Sequence, residues 1–169
     1  MNDYLFRSRY AVLPLIALGT LSGSRSLEAS PAPDACALLT QAQVTAALGV
    51  DVDAGKRPVA SDPRICNWRE QGKPEGPARN VMLTLIDAKE FAVVKKLTSS
   101  NPAEKGIGEE AVFSKSARLP IILSVRAGSQ YFRIMSRSNA APSSDPAGSS
   151  EGRDKMIDEE LAIQILKKP

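Results

Sequence analysis

A chain of 169 residues, 43% hydrophobic and 24% charged, can bury one real core and does not require a second domain. Its net charge of +3 demands no strongly charged partner. It contains no histidine, which excludes His-based triads, H-E-x-x-H zinc sites and ordinary histidine general bases.

The N-terminus reads as a targeting segment. Arg7 and Arg9 precede the apolar run A-V-L-P-L-I-A-L-G-T-L at 11–21, and small and polar residues follow. That order is the grammar of a secretory signal peptide. A membrane-spanning helix needs about 20 apolar residues, and Pro14 and Gly19 interrupt this shorter run. Residues 1–29 are therefore expected to be a signal peptide, with cleavage near Gly23-Ser24 or after Ala29. The remainder, 30–169, is expected to be a single domain with no stable membrane span once the signal is removed. Loss of Arg7, Arg9 and Arg25 with Asp3 and Glu28 lowers the net charge from +3 to +2.

The chain holds two cysteines, Cys36 and Cys66. Behind an export signal a disulfide is the simplest reading, with two buried free thiols as the alternative. A redox-active pair more often shows C-x-x-C spacing. This pair does not.

After a Pro-containing lead-in at 30–33, Thr40 can cap a first helix over 41–48. Val44, Ala47 and Leu48 share one face of it, and Gly49 can end it in the left-handed conformation. Residues 50–59 read weakly as an edge strand broken by Asp53-Ala54-Gly55. The run 64–71 alternates so that Cys66 and Trp68 point to one side. That places the single tryptophan beside the expected disulfide, on the core side. A Gly/Pro loop at 72–77 leads to a strand over 80–86.

Asp87 with Glu90 forms a capping box for a second helix over 88–99; Phe91, Val94 and Leu97 are its apolar stripe. A turn at 106–111 enters a strand over 111–115. Strands over 121–127 and 130–136 form a hairpin across Gly128-Ser129. Residues 139–152 are a flexible loop by composition. A third helix over 154–167 carries Ile157, Leu161 and Ile165. Its acidic start and lysine end suit the helix dipole.

The order predicts an α+β fold: an antiparallel β-sheet with helices packed on one face and one disulfide. The first two helices are each followed by about three strands, so two α-β-β-β units plus a C-terminal helix are compatible with it.

Chemistry is sparse. Gly106-x-Gly108 lacks the third glycine and the following helix of a phosphate loop. Glu109 and Glu110 are adjacent, so in a strand they point to opposite faces and cannot pair as acid and base. Lys115 points away from Ser114 and Ser116, and no S-x-x-K spacing occurs. No catalytic, cofactor-binding or metal-ligating residue is assigned, and the reading leans away from an enzyme. Arg64, Arg69, Arg126, Arg133 and Arg137 fall on the predicted strands at solvent-facing phase. They form a candidate basic face for an envelope protein or an anionic ligand. A solvated face balanced by acids is the plain alternative. Nucleic acid is not expected, because no aromatic stacking set accompanies the arginines.

Asp34-Ala35-Cys36-Ala37-Leu38-Leu39-Thr40, Cys66-Asn67-Trp68 and Gly106-Ile107-Gly108-Glu109-Glu110-Ala111 occur in an order that resembles a diffuse group of small exported bacterial proteins and lipoproteins of unknown function. The resemblance spans most of 34–168. It implies the disulfide and a helix-backed antiparallel sheet, and it supplies no catalytic residue. The chain departs from the lipid-anchored relatives in having no cysteine directly after its apolar run. The expectation is thus a periplasmic or secreted, non-enzymatic binding domain at the cell envelope. The alternative is an envelope hydrolase, or an inhibitor of an envelope enzyme, acting through loops 72–77 or 139–152.

Overall fold

The computed structural model describes residues 33–73, 78–98, 106–116, 119–139 and 149–168. The expected signal peptide, residues 74–77 of the Gly/Pro loop and 140–148 of the Ser/Pro-rich loop lie outside them.

The fold starts with a short helical turn, Ala35–Ala37, capped by the Asp34 carboxylate, which accepts from the Cys36 amide. α1, Gln41–Leu48, follows. Thr40 and Gln43 cap it reciprocally, and Gly49 closes it at φ 68°. The expected box at Asp87 and Glu90 is also present, opening α2, Ala88–Leu97. These termini form because each capping side chain satisfies amides that the helix itself leaves unpaired. α3, Ser150–Leu166, begins earlier than expected, since Ser149 accepts from Gly152 N and so caps it. Residues 150–152 therefore belong to the helix rather than to the loop.

The strands are β1, Ile65–Arg69; β2, Asn80–Leu85; β3, Glu110–Ser116; β4, Leu119–Ala127; and β5, Gln130–Arg137. All neighbours are antiparallel, in the order β1-β2-β5-β4-β3. The stretch read as a weak edge strand contributes two isolated bridges alongside β1, Val52 to Glu70 and Lys56 to Asn67. Each of the first two helices therefore leads into a meander, and the two meanders meet at β2 and β5.

Alternation divides the sheet into two faces. Cys66, Trp68, Val81, Leu83, Phe132, Ile134, Leu123, Val125 and Ala111 share one face and are fully buried or nearly so. α1 and α3 pack on this face through Val44, Leu48, Ile157, Leu161 and Ile165. α2 sits on the other side. Its Phe91 ring lies 5.7 Å from that of Tyr131, and its Lys95 pairs with Glu110. Both partners have the opposite phase to the core residues. Leu97, expected in the α2 stripe, is 79% exposed, while Phe91 and Thr98 are buried.

Cys36 and Cys66 are bonded, 30 residues apart. The bridge ties the segment before α1 to the core face of β1, beside Trp68. Gly55 crosses over that spot. A Cβ there would stand 2.7 Å from Cys66 Sγ and 2.8 Å from the Trp68 indole, closer than packed atoms approach. Only glycine fits at that crossing.

Candidate functional site

The face opposite the core is built in cross-strand rows. Ile65, Thr84, Arg133, Ser124 and Val112 form one row across the sheet from β1 to β3. Asn67, Met82 and Met135 form the next, and Arg69, Asn80 and Arg137 the third. α2 lies over the end of this face marked by Tyr131 and Glu110. Towards the other end the methionines and asparagines are half-buried and Arg137 is exposed.

The five arginines are not equivalent. Arg64 lies just before β1, outside the strand, and is spent on Asp62 at 3.1 Å through both Nε and Nη2. That guanidinium holds the Asp62 carboxyl below the usual range. Arg126 is paired with Glu109 and, at 3.5 Å, with Glu110. The Glu110 carboxyl is held low by Lys95 first and by Arg126 as well. Arg69 donates from Nε to the Lys73 carbonyl at 2.8 Å. Arg133 and Arg137 are different. Among the described residues neither has a carboxylate within 4.0 Å. The expected basic face is thus reduced to one half of the sheet surface, where Arg69, Arg133 and Arg137 surround Asn67, Asn80, Met82 and Met135.

Arg133 is half-buried and its Nε is fully covered, with no hydrogen-bond partner. Its β4 neighbour, Ser124, is completely buried, and the Ser124 hydroxyl is equally unpartnered. Sequence inspection did not single out Ser124 or Thr84. The available signal was a serine between Leu123 and Val125, a polar residue opposite an arginine.

A second polar cluster lies on the core side, between α3 and β5. Asp158 is 0% exposed, and neither carboxylate oxygen has a hydrogen-bond partner. Burial pushes the Asp158 carboxyl well above its ordinary range, and the charges of Asp154 and Glu159 add to it. Ser136 stands close enough to pull the other way, but its hydroxyl donates to the Asp154 carbonyl at 3.0 Å and not to Asp158. Asp154 accepts from the Ser138 amide at 2.7 Å. Its carboxyl is also raised by burial, against the pull of Ser138, Arg137 and Arg153.

The other sequence candidates resolve into structure. Gly106 and Gly108 turn the chain at positive φ around a buried Ile107. Lys115 pairs with Glu151 of α3, and Ser114 donates to the Ile122 carbonyl at 3.4 Å. A hollow of about 440 Å³ opens beside Leu85, Ile86, Ser129, Gln130 and Tyr131, and neither Arg133 nor Arg137 lines it. Among the described residues no three His, Cys, Asp or Glu side chains converge as a metal site. No helix among them is long and apolar enough to cross a membrane.

These features define an α+β domain with one disulfide and an antiparallel sheet that carries helices on both faces. No protein-family model, curated protein or solved structure matches the chain.

Proposed function

We propose that this chain is an exported, non-enzymatic domain that binds an acidic protein or another anionic ligand at the cell envelope. In this reading residues 1–29 direct export and are removed, and the working compartment is the periplasm or the exterior. The Cys36–Cys66 bridge supports an oxidising location.

The observation that carries the reading is the contrast between two pairs of arginines. Arg64 and Arg126 are neutralised by Asp62, Glu109 and Glu110. Arg133 and Arg137, on the same strand and the same side of it, make no ion pair within 4.0 Å among the described residues, and Arg137 feels the Asp154 carboxyl only at longer range. Cations without a close ion-pair partner on a half-covered surface raise the local concentration of anions and steer their approach. Met82 and Met135 lie side by side between them and offer adaptable apolar contact. Together they suit a partner that presents acids next to apolar groups.

The test is capture from an envelope extract by the purified, oxidised domain. Charge reversal at Arg133 and Arg137 is expected to remove the captured partner, whereas reversal at Arg64 should leave it. If the Arg133/Arg137 variant returns the same partners in the same amounts, this face is not the binding surface.

A further inference from the structure

We infer that Arg133, Ser124 and Thr84 form a seat for a carboxylate; this rests on the binding reading above and names the ligand chemistry of that same face. Arg133 on β5 stands opposite Thr84 of β2 on one side and Ser124 of β4 on the other. Residues in such cross-strand positions carry their Cβ atoms about 4.5–5.5 Å apart, so Thr84 and Ser124 flank Arg133 on its two sides.

Two of them are incomplete. The Ser124 hydroxyl and the Arg133 Nε are both buried and both lack a partner. Folded proteins pair the large majority of buried polar groups, so two orphans on adjacent positions call for a physical reason. The nature of the orphans narrows it. A buried acid can relieve its charge by taking a proton, but a guanidinium does not lose one under any ordinary condition. Arg133 therefore stays cationic, half out of water, and an acceptor that carries negative charge would satisfy its covered Nε. Ser124 can turn its hydroxyl to donate to the same acceptor.

A carboxylate meets these demands. Its two oxygens match the fork of the guanidinium edge that includes Nε, and either oxygen retains a lone pair for a hydroxyl. Its single charge equals that of the single arginine. A dianionic phosphate would carry a second charge that Arg133 alone does not balance. The paired methionines, in the adjoining row, border the seat with apolar surface.

The experiment follows the Arg133 side-chain Nε–Hε resonance in the ¹⁵N spectrum of the full oxidised chain, assigned by its loss in Arg133→Lys. Acetate, a short glutamate-containing peptide and inorganic phosphate are titrated at constant ionic strength. Acetate and the peptide are expected to give saturating shifts at Arg133 Nε and at the Ser124 amide, with phosphate weaker. Tighter binding of the peptide assigns the carboxylate to a protein side chain; equal affinity assigns it to a small free acid. Ser124→Ala should weaken binding about tenfold, the loss of one hydrogen bond to a charged group, without lowering the melting temperature. Shifts that rise linearly without saturating, or that are the same in Ser124→Ala, would mean that water alone satisfies these groups, and would overturn the seat. The two readings can fail separately. If no carboxylate saturates but envelope capture still depends on Arg133 and Arg137, the seat falls and the binding face stands. If a carboxylate saturates and capture ignores both arginines, the seat stands and the envelope-binding reading falls.

Discussion

The core side of the sheet and its opposite face each bury an ionisable group without a counter-charge, Asp158 beneath α3 and Arg133 beside Ser124. The core side deals with its group by chemistry. Burial raises the Asp158 carboxyl well above its ordinary range, and an acid that takes up a proton can remain neutral in an apolar seam. Arg133 has no such route, because it cannot shed its proton. The comparison teaches that an orphaned acid in this fold can be silenced by a proton, whereas an orphaned arginine keeps its charge.

The largest effects should come from damage to the core side. Trp68 is 1% exposed and abuts the disulfide. Trp68→Ala is expected to cost about 3–5 kcal/mol, read by urea unfolding. Loss of the Cys36–Cys66 bridge, which closes 30 residues, should cost about 3–4 kcal/mol in the chain-entropy account. The matching change on the open face, Met82→Ala, should cost only about 1 kcal/mol, since Met82 is half-buried and its site can relax towards water. Equal costs on the two sides would erase the distinction.

The pH response tests the contrast next. The unfolded Asp158 carboxyl has an ordinary affinity for a proton, and the folded one holds its proton more tightly. Below the ordinary value of 3.8 both states are protonated, and the favourable contribution is fully present. It is lost as pH rises through the elevated folded value, where the buried group is forced to ionise. Glu110 and Glu151 act in the reverse sense. Lys95 lowers the first and Lys115 the second, so their contributions appear above the ordinary value and fade as pH falls. Asp158→Asn should flatten the alkaline side of the stability profile and leave the acid side intact, as followed by melting temperature against pH. An unchanged alkaline slope in that variant would show that Asp158 already has a partner.

Smaller still is the expected effect of Ser124→Ala on the free chain. Removing a buried hydroxyl that bonds to nothing should leave stability unchanged or raise it by up to about 1 kcal/mol, measured by the same unfolding experiment. A loss of more than that would mean that Ser124 already bonds within the fold.

Much of the fold was legible because its signals are local. Thr40 with Gln43, Asp87 with Glu90, Gly49 after α1 and Gly128-Ser129 between β4 and β5 each fix a boundary through neighbours a few residues away. The alternation in Cys66-Asn67-Trp68 correctly placed the cysteine and the indole on one side. The side of the sheet that α2 occupies was not legible. Its apolar residues suggest a stripe ending at Leu97, but the helix is seated through Phe91 on Tyr131, and only tertiary packing decides that. The candidate site was legible in part. Alternation put Arg69, Arg126, Arg133 and Arg137 on one face, yet it could not show that Glu109 and Glu110 neutralise Arg126 or that Asp62 claims Arg64. The acidic start of the third helix suggested only a match to the helix dipole; the four-residue spacing of Asp154 and Asp158, in phase with the buried α3 positions, was the overlooked sign of burial.

The central claim is that the unpaired arginines, and not the paired ones, make the binding surface. The most direct measurement is a side-by-side titration of an acidic peptide, such as a short polyglutamate with flanking apolar residues, against Arg133→Gln and Arg126→Gln. Arg133→Gln is predicted to weaken binding by about tenfold or more and to flatten its dependence on salt, while Arg126→Gln stays within about twofold of the parent chain. Equal losses in the two variants, or a larger loss in Arg126→Gln, would contradict the account.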